Sequence, residues 1–209
     1  MNKNEILDVV LEILDGTSDK SFGKIKKDIK KLIIKDEEVS GRYKFVPEFY
    51  KRLAKFEDKK EILFSALISE NKERQNLGTY IMETDPKVFL SEEELKKLLN
   101  SGKLQELHIT GYSIILNIIH SPAEIDKYLT LPAEEFEKLN LSRNQVANLI
   151  EASGNIDKYL TLPTEEFKKF KLYRNQVGNI IKASGNIEKY LTPENIAKFN
   201  LSGKEVSDL

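Results

Sequence analysis

Apolar residues recur at helical spacing along nearly the whole chain. Residues 3–14 place Ile6, Val9, Val10, Ile13 and Leu14 on one side, and Gly16 with Thr17 supplies a stop, which predicts a first helix. Residues 21–35 set Phe22, Ile25, Ile29, Leu32 and Ile33 in a second stripe, which predicts a second. Residues 36–45 mix glycine, serine and charge and read as a loop, after which Pro47 opens a helix over 48–56. Ile62, Leu63, Ala66 and Leu67 mark another over 57–69. From Arg74 onward the pattern becomes a helix, a break at Asp85-Pro86, a short apolar run and a helix announced by the capping box Ser91-x-x-Glu94.

The spacing of these stripes turns periodic in the second half. Residues 125–155 and 156–186 agree at 23 of 31 positions, and a third copy starts at Ile187. A diverged earlier copy over 109–124 stands in register with 140–155. A fixed period of this length implies stacked units, each too small to bury its apolar face alone. Within a unit, Ser142-x-x-Gln145 starts a helix and Val146, Leu149, Ile150 and Ser153 line one side of it. Gly154 is expected to end that helix in a left-handed conformation, and Asn155 to cap a short helix carrying Ile156, Tyr159 and Leu160. Pro163 then restarts the chain for a third helix holding Phe167 and Phe170. Ser202-x-x-Glu205 repeats the capping box in the last copy, whereas Tyr173 stands in its place in the middle one and loses the cap. The expected fold is all-α: a right- or left-handed helical-repeat solenoid of about 31-residue units, two to three helices each, with an N-terminal helical section. Residues 1–70 form that section and 71–209 the array. Leu209 falls at the position of Ile180, so the array is expected to be cut there or closed by another element.

Composition narrows the function. Apolar residues at 40% and charged residues at 32% suit a folded helical protein, and the absence of cysteine excludes disulfides, thiolate metal sites and cysteine nucleophiles. No run of about 18 apolar residues offers a membrane span. The N-terminus lacks the basic and apolar regions of a signal peptide, so the expected location is cytoplasmic, or inside a host cell after delivery. The net charge of −1 leaves no overall basic excess for nucleic acid, so any such footprint must be local. One local excess lies over residues 20–35, where seven lysines, among them Lys24, Lys27 and Lys31, stand against Asp28. That stretch suits phosphates or an anionic surface, or else is a solvated helix face. A second excess lies in the second full repeat, six basic against three acidic residues, where Lys168, Lys169, Lys171, Arg174 and Lys182 are the candidate phosphate contacts.

Catalysis has little support. His108 and His120 lack metal-ligand spacing, the pairs Glu134-Glu135 and Glu165-Glu166 suit first helical turns, and no phosphate loop or nucleophile elbow occurs. No enzymatic activity, metal, cofactor or small-molecule substrate is therefore expected. The polar residues that repeat are more informative. Asn144 and Asn148 recur as Asn175 and Asn179, with Asn117 at the equivalent place upstream, and Arg143 recurs as Arg174. Stacked repeats would turn the asparagines into a row of amides, able to contact bases and phosphates or to satisfy one another between units. The arginines suit phosphate or a nearby glutamate.

Two families carry the same kind of repeat. The stretches HSPAEIDKYLTLPAEEFEKLNLSRNQV and TDPKVFLSEEELKKLL resemble repeats of the mitochondrial transcription termination factor family. Leu141-Ser142-Arg143-Asn144-Gln145-Val146, followed by Ala152-Ser153-Gly154, resembles the opening and loop of transcription-activator-like effector repeats, whose loops face DNA bases. The resemblance implies nucleic-acid binding, with Ser153, Gly154, Ser184 and Gly185 on the reading loops. The expected function is thus non-catalytic binding of DNA or RNA along the array. The alternative is a protein-interaction scaffold, for example a secreted effector of an intracellular bacterium, since Lys-, Asn- and Ile-rich usage suits an AT-rich genome.

Overall fold

The computed structural model describes residues 1–35, 42–56 and 58–209. Among these residues it holds sixteen α-helices, three short 3-10 turns and one pair of antiparallel strands. Helix α1 (Lys3–Asp15) begins at a capping box in which Asn2 and Glu5 satisfy each other's backbone N–H, and it stops at Gly16, whose φ of 82° only glycine adopts without cost. Its stripe Ile6, Val9, Val10, Ile13 and Leu14 is buried as the spacing predicts.

The second stripe departs from expectation. Helix α2 (Phe22–Ile29) ends early, a 3-10 turn occupies Lys30–Leu32, and strand β1 (Ile33–Lys35) pairs antiparallel with β2 (Tyr43–Phe45), Ile33 opposite Phe45. The successive β-branched residues Ile33 and Ile34 favour an extended chain, and the Leu32 carbonyl accepts from the Val46 N–H at 2.7 Å instead of from a further helical turn. The loop expected over 36–45 is therefore a strand in its last three residues; residues 36–41 lie outside the described ones.

Helices α3 (Pro47–Leu53), α4 (Lys59–Leu67) and α5 (Lys72–Thr84) follow, then a 3-10 turn at Pro86–Val88, α6 (Glu92–Asn100) and α7 (Gly111–Ile118). Residue 57, expected to open a helix, is outside the described residues. Phe45 stacks on Phe49 at 4.3 Å, and the buried Asp85 carboxylate accepts from the Phe45 N–H at 3.1 Å and from the Tyr50 hydroxyl, which fixes the hairpin to the helices. Burial raises the Asp85 carboxyl above its ordinary pKa despite these donors.

The remaining elements are a 3-10 turn at Pro122–Ile125, α8 (Asp126–Leu129), α9 (Ala133–Lys138), α10 (Arg143–Ala152), α11 (Ile156–Leu160), α12 (Thr164–Lys168), α13 (Arg174–Ala183), α14 (Ile187–Tyr190), α15 (Pro193–Lys198) and α16 (Gly203–Asp208). Each of the two full repeats thus holds one ten-residue helix and two short ones, rather than two helices and a shorter third. The chain forms two compact units. Residues 1–118 with 138–140 make the first, and residues 119–137 with 141–209 the second. Helix α5 packs on α1, α2 and α4, and residues 71–118 lie in the first compact unit.

One periodic feature escaped the sequence reading. His108, Asn140, Lys171 and Asn200 all take left-handed φ values between 50 and 56°, each is followed by an apolar residue, and each stands shortly before α7, α10, α13 or α16. A side chain in that conformation costs about 1–2 kcal/mol, so composition marks the Asn positions weakly and the His and Lys positions not at all.

Candidate partner-binding face

Helices α10 and α13 pack together and present the repeated polar residues. Val146, Leu149 and Ile150 are buried in one, Val177, Ile180 and Ile181 in the other. The period of 3.6 then sends Asn144, Asn148, Asn175 and Asn179 outward, and all four are exposed. Asn144 is engaged: its Oδ1 accepts from Gln176 Nε2 at 2.5 Å. Gln176 is itself buried, and its Oε1 accepts from the Tyr173 N–H at 2.8 Å, so half of the capping box survives where the serine is missing. Asn148, Asn175 and Asn179 bond to no described residue. Asn117 does not share their place, being buried with its amide donating to the Ser113 carbonyl at 2.9 Å.

The expected cations are mostly occupied. The Arg143 guanidinium lies 3.8 Å above the exposed Tyr173 ring, a contact the sequence reading missed because it saw Tyr173 only as a lost cap. Lys168 pairs with Glu165 at 2.6 Å and Lys171 with Glu137 at 2.7 Å. Arg174 faces Glu205, whose carboxyl is held low by the Ser202 hydroxyl first and by Arg174 last. Lys182 is exposed and makes no ion pair among the described residues. It lines an open groove of about 200 Å³ between α13 and α16 with Asn175, Gly178, Asn179, Lys204 and Asp208. In the first compact unit Lys24 and Lys27 are exposed, and Lys31 pairs with Asp28 at 2.5 Å.

The loop residues do other work. Ser153 is buried, donates to the Ile150 carbonyl at 2.8 Å and accepts from the Asn155 N–H at 3.1 Å; Ser184 repeats this with Ile181 and Asn186. These are turn bonds that close α10 and α13, with Gly154 and Gly185 left-handed behind them at φ 72° and 68°. Gly154 and Ser184 border a separate shallow hollow of about 370 Å³.

Two ladders between consecutive repeats were not anticipated. Asp126 accepts from Lys158 at 2.9 Å, from Asn155 at 3.0 Å and from the Tyr159 hydroxyl, so Asn155 ties two repeats together instead of capping α11. One repeat later Asp157 accepts from Lys189 at 2.7 Å and from the Tyr190 hydroxyl. Partial burial pulls the Asp126 carboxyl upward, but the Tyr159, Lys158 and Asn155 donors outweigh it and leave the group below its ordinary pKa. Asp157 is lowered by Lys189 and then by Tyr190. The second ladder uses Lys169 and Lys198, whose ammonium groups donate to Leu131 and to Leu160 and Leu162 carbonyls at 2.5–2.9 Å. Each also lies over phenylalanine rings, Lys169 over Phe170 at 5.2 Å and Lys198 over Phe199 at 4.8 Å. Lys169, a candidate phosphate contact by sequence, is thus turned inward, and desolvation lowers its pKa. The signal was present in the recurring Ile-Asp-Lys-Tyr-Leu run, where acid, lysine and tyrosine repeat together.

No helix among the described residues is long and apolar enough to cross a membrane. No protein family, characterised protein or solved structure matches the chain.

Proposed function

We propose that the repeats form a solenoid-like, non-catalytic scaffold that binds another protein along the exposed sides of α10 and α13. The observation that carries this reading is the fate of the charges. Lys158, Lys168, Lys169, Lys171, Lys189, Lys198 and Arg143 are all engaged with groups of the same unit, and the surface that repeats is neutral amide. Phosphate tracking needs a row of uncommitted cations; protein surfaces are recognised through neutral polar groups with an aromatic or arginine anchor, as Tyr173 with Arg143 would supply. The test pairs two measurements. Anisotropy of labelled mixed-sequence duplex and single strands is expected to show no binding that falls steeply between about 50 and 200 mM salt; a steep fall would return the assignment to nucleic acid. Photo-crosslinking from residue 179 is expected to capture protein adducts that the same label at residue 93 does not, and equal capture would remove the proposed face.

A further inference from the structure

The first compact unit carries a surface of a different kind from the repeats. We infer that the outward side of α2 and β1 docks on an anionic phospholipid bilayer, with Lys24, Lys27 and Lys30 against the headgroups and Ile34 at the edge of the acyl region. The three lysines recur every third residue, on the side of α2 and its 3-10 extension turned away from the buried Phe22, Ile25 and Ile29. All three are exposed and make no ion pair among the described residues, as is true of Lys20 and Lys35 at the two ends of the stretch. Lys31 and Lys26 are engaged, the first with Asp28 at 2.5 Å and the second over the Phe22 and Tyr80 rings at 5.7 and 5.9 Å. With Asp36, Glu37 and Glu38 counted, residues 19–46 still hold nine basic against five acidic side chains, in a chain whose net charge is −1. The rest of the chain is therefore net acidic, and a negative surface attracts this face while repelling the remainder.

The adjoining hairpin selects a bilayer among negative partners. Ile33 faces Phe45, which is 1% exposed, so the alternation along β1 sends Ile34 outward beside its cross-strand neighbour Lys44, and Ile34 is 41% exposed. An aliphatic side chain among cations gains by leaving water at the acyl boundary; a phosphodiester backbone offers it no apolar surface. The cations of α2 are all lysines, point charges that suit a sheet of mobile headgroups, where arginine forks would fix single phosphates. The fold also limits the depth. An interfacial helix buries its apolar stripe in the membrane, but Phe22, Ile25, Ile29 and Leu32 are 0–6% exposed and already spent on the protein core. Charge and one aliphatic side chain remain, so the docking is weak, reversible and sensitive to salt.

The experiment uses the full chain and vesicles of phosphatidylcholine, alone or with about one-third phosphatidylserine, with the bound fraction read by flotation. Binding is expected to the anionic vesicles alone, and to be lost by about 0.5 M salt. The triple variant Lys24→Gln, Lys27→Gln and Lys30→Gln is expected to lower the partition coefficient about a hundredfold, since each lysine near the surface is worth about fivefold. Lys127→Gln, Lys168→Gln and Lys182→Gln together change the net charge equally and are expected to leave most of the binding in place. Ile34→Ser is expected to lower it several-fold. Thermal melting establishes that these exposed-site variants remain folded. No flotation with anionic vesicles, flotation with phosphatidylcholine alone, or equal losses from the two triple variants overturns the inference. Oligonucleotide binding that the first triple variant abolishes, with Ile34→Ser silent on both ligands, assigns the lysines to a polyanion and overturns it as well. Protein adducts captured from residue 179 are unaffected by any of these results, so the scaffold reading stands or falls separately.

Discussion

Gly111 and Gly178 show how little a residue type says until its surroundings are known. A Cβ on Gly111 would lie 2.9 Å from both the Leu139 carbonyl oxygen and a Leu99 methyl, and the same glycine donates its N–H to that carbonyl at 2.8 Å. Gly111→Ala is therefore expected to destabilise the protein by about 1–3 kcal/mol, because backbone must move. Gly178→Ala meets nothing and removes a flexible residue from the middle of α13, so it is expected to stabilise by about 0.5–1 kcal/mol. Urea midpoints for the two variants check the opposite signs. The sequence showed four repeated asparagines as a set; it had no means of separating Asn144, drawn into an amide pair, from Asn148 and Asn179, which are not. That distinction depends on where Gln176 lies after packing.

Among the elements, the short helices α8, α11 and α14 matter more than their length suggests. Each is four or five residues long and cannot persist alone; the carboxylate and tyrosine ladder ties successive ones together. Tyr159 is 1% exposed, so deleting Asp126 removes a charge-assisted acceptor from a hydroxyl that water reaches poorly. Asp126→Ala is expected to cost about 1–3 kcal/mol, and Asp126→Asn distinctly less because its amide oxygen still accepts from Tyr159. Equal losses in denaturant titrations would mean that charge, not the hydroxyl bond, dominates. Capping boxes and apolar stripes made α1, α6, α10 and α13 legible in advance, since those signals lie within a few residues. The hairpin of β1 and β2 was not legible: its strands are three residues each, and its place depends on Asp85, forty residues from Phe45.

For the molecule as a whole, acid should act on the repeats through Asp126 and Asp157. Both carboxyls lie below their ordinary pKa in the folded state, so their stabilisation is complete above about pH 4 and drains away as the pH falls through their folded values. Asp85 runs the other way, since its raised pKa favours the neutral form and contributes less as the pH rises through it. Melting temperatures between neutral pH and about pH 3 should fall, and the double variant Asp126→Asn with Asp157→Asn should fall less; an unchanged slope would remove the ladder from the account.

The amino-acid order by itself determined that the chain is helical, that its second half repeats, and which positions face inward, because periodicity and capping are short-range properties of the polymer. Only the tertiary structure decided what the repeated polar groups do. Charge partners lie about one repeat apart in the chain, as Lys189 and Asp157 do, and a list of residues cannot show which cations are already neutralised. Within the repeats, packing turned most of the lysines toward carboxylates and carbonyls and left Asn148, Asn175 and Asn179 outside.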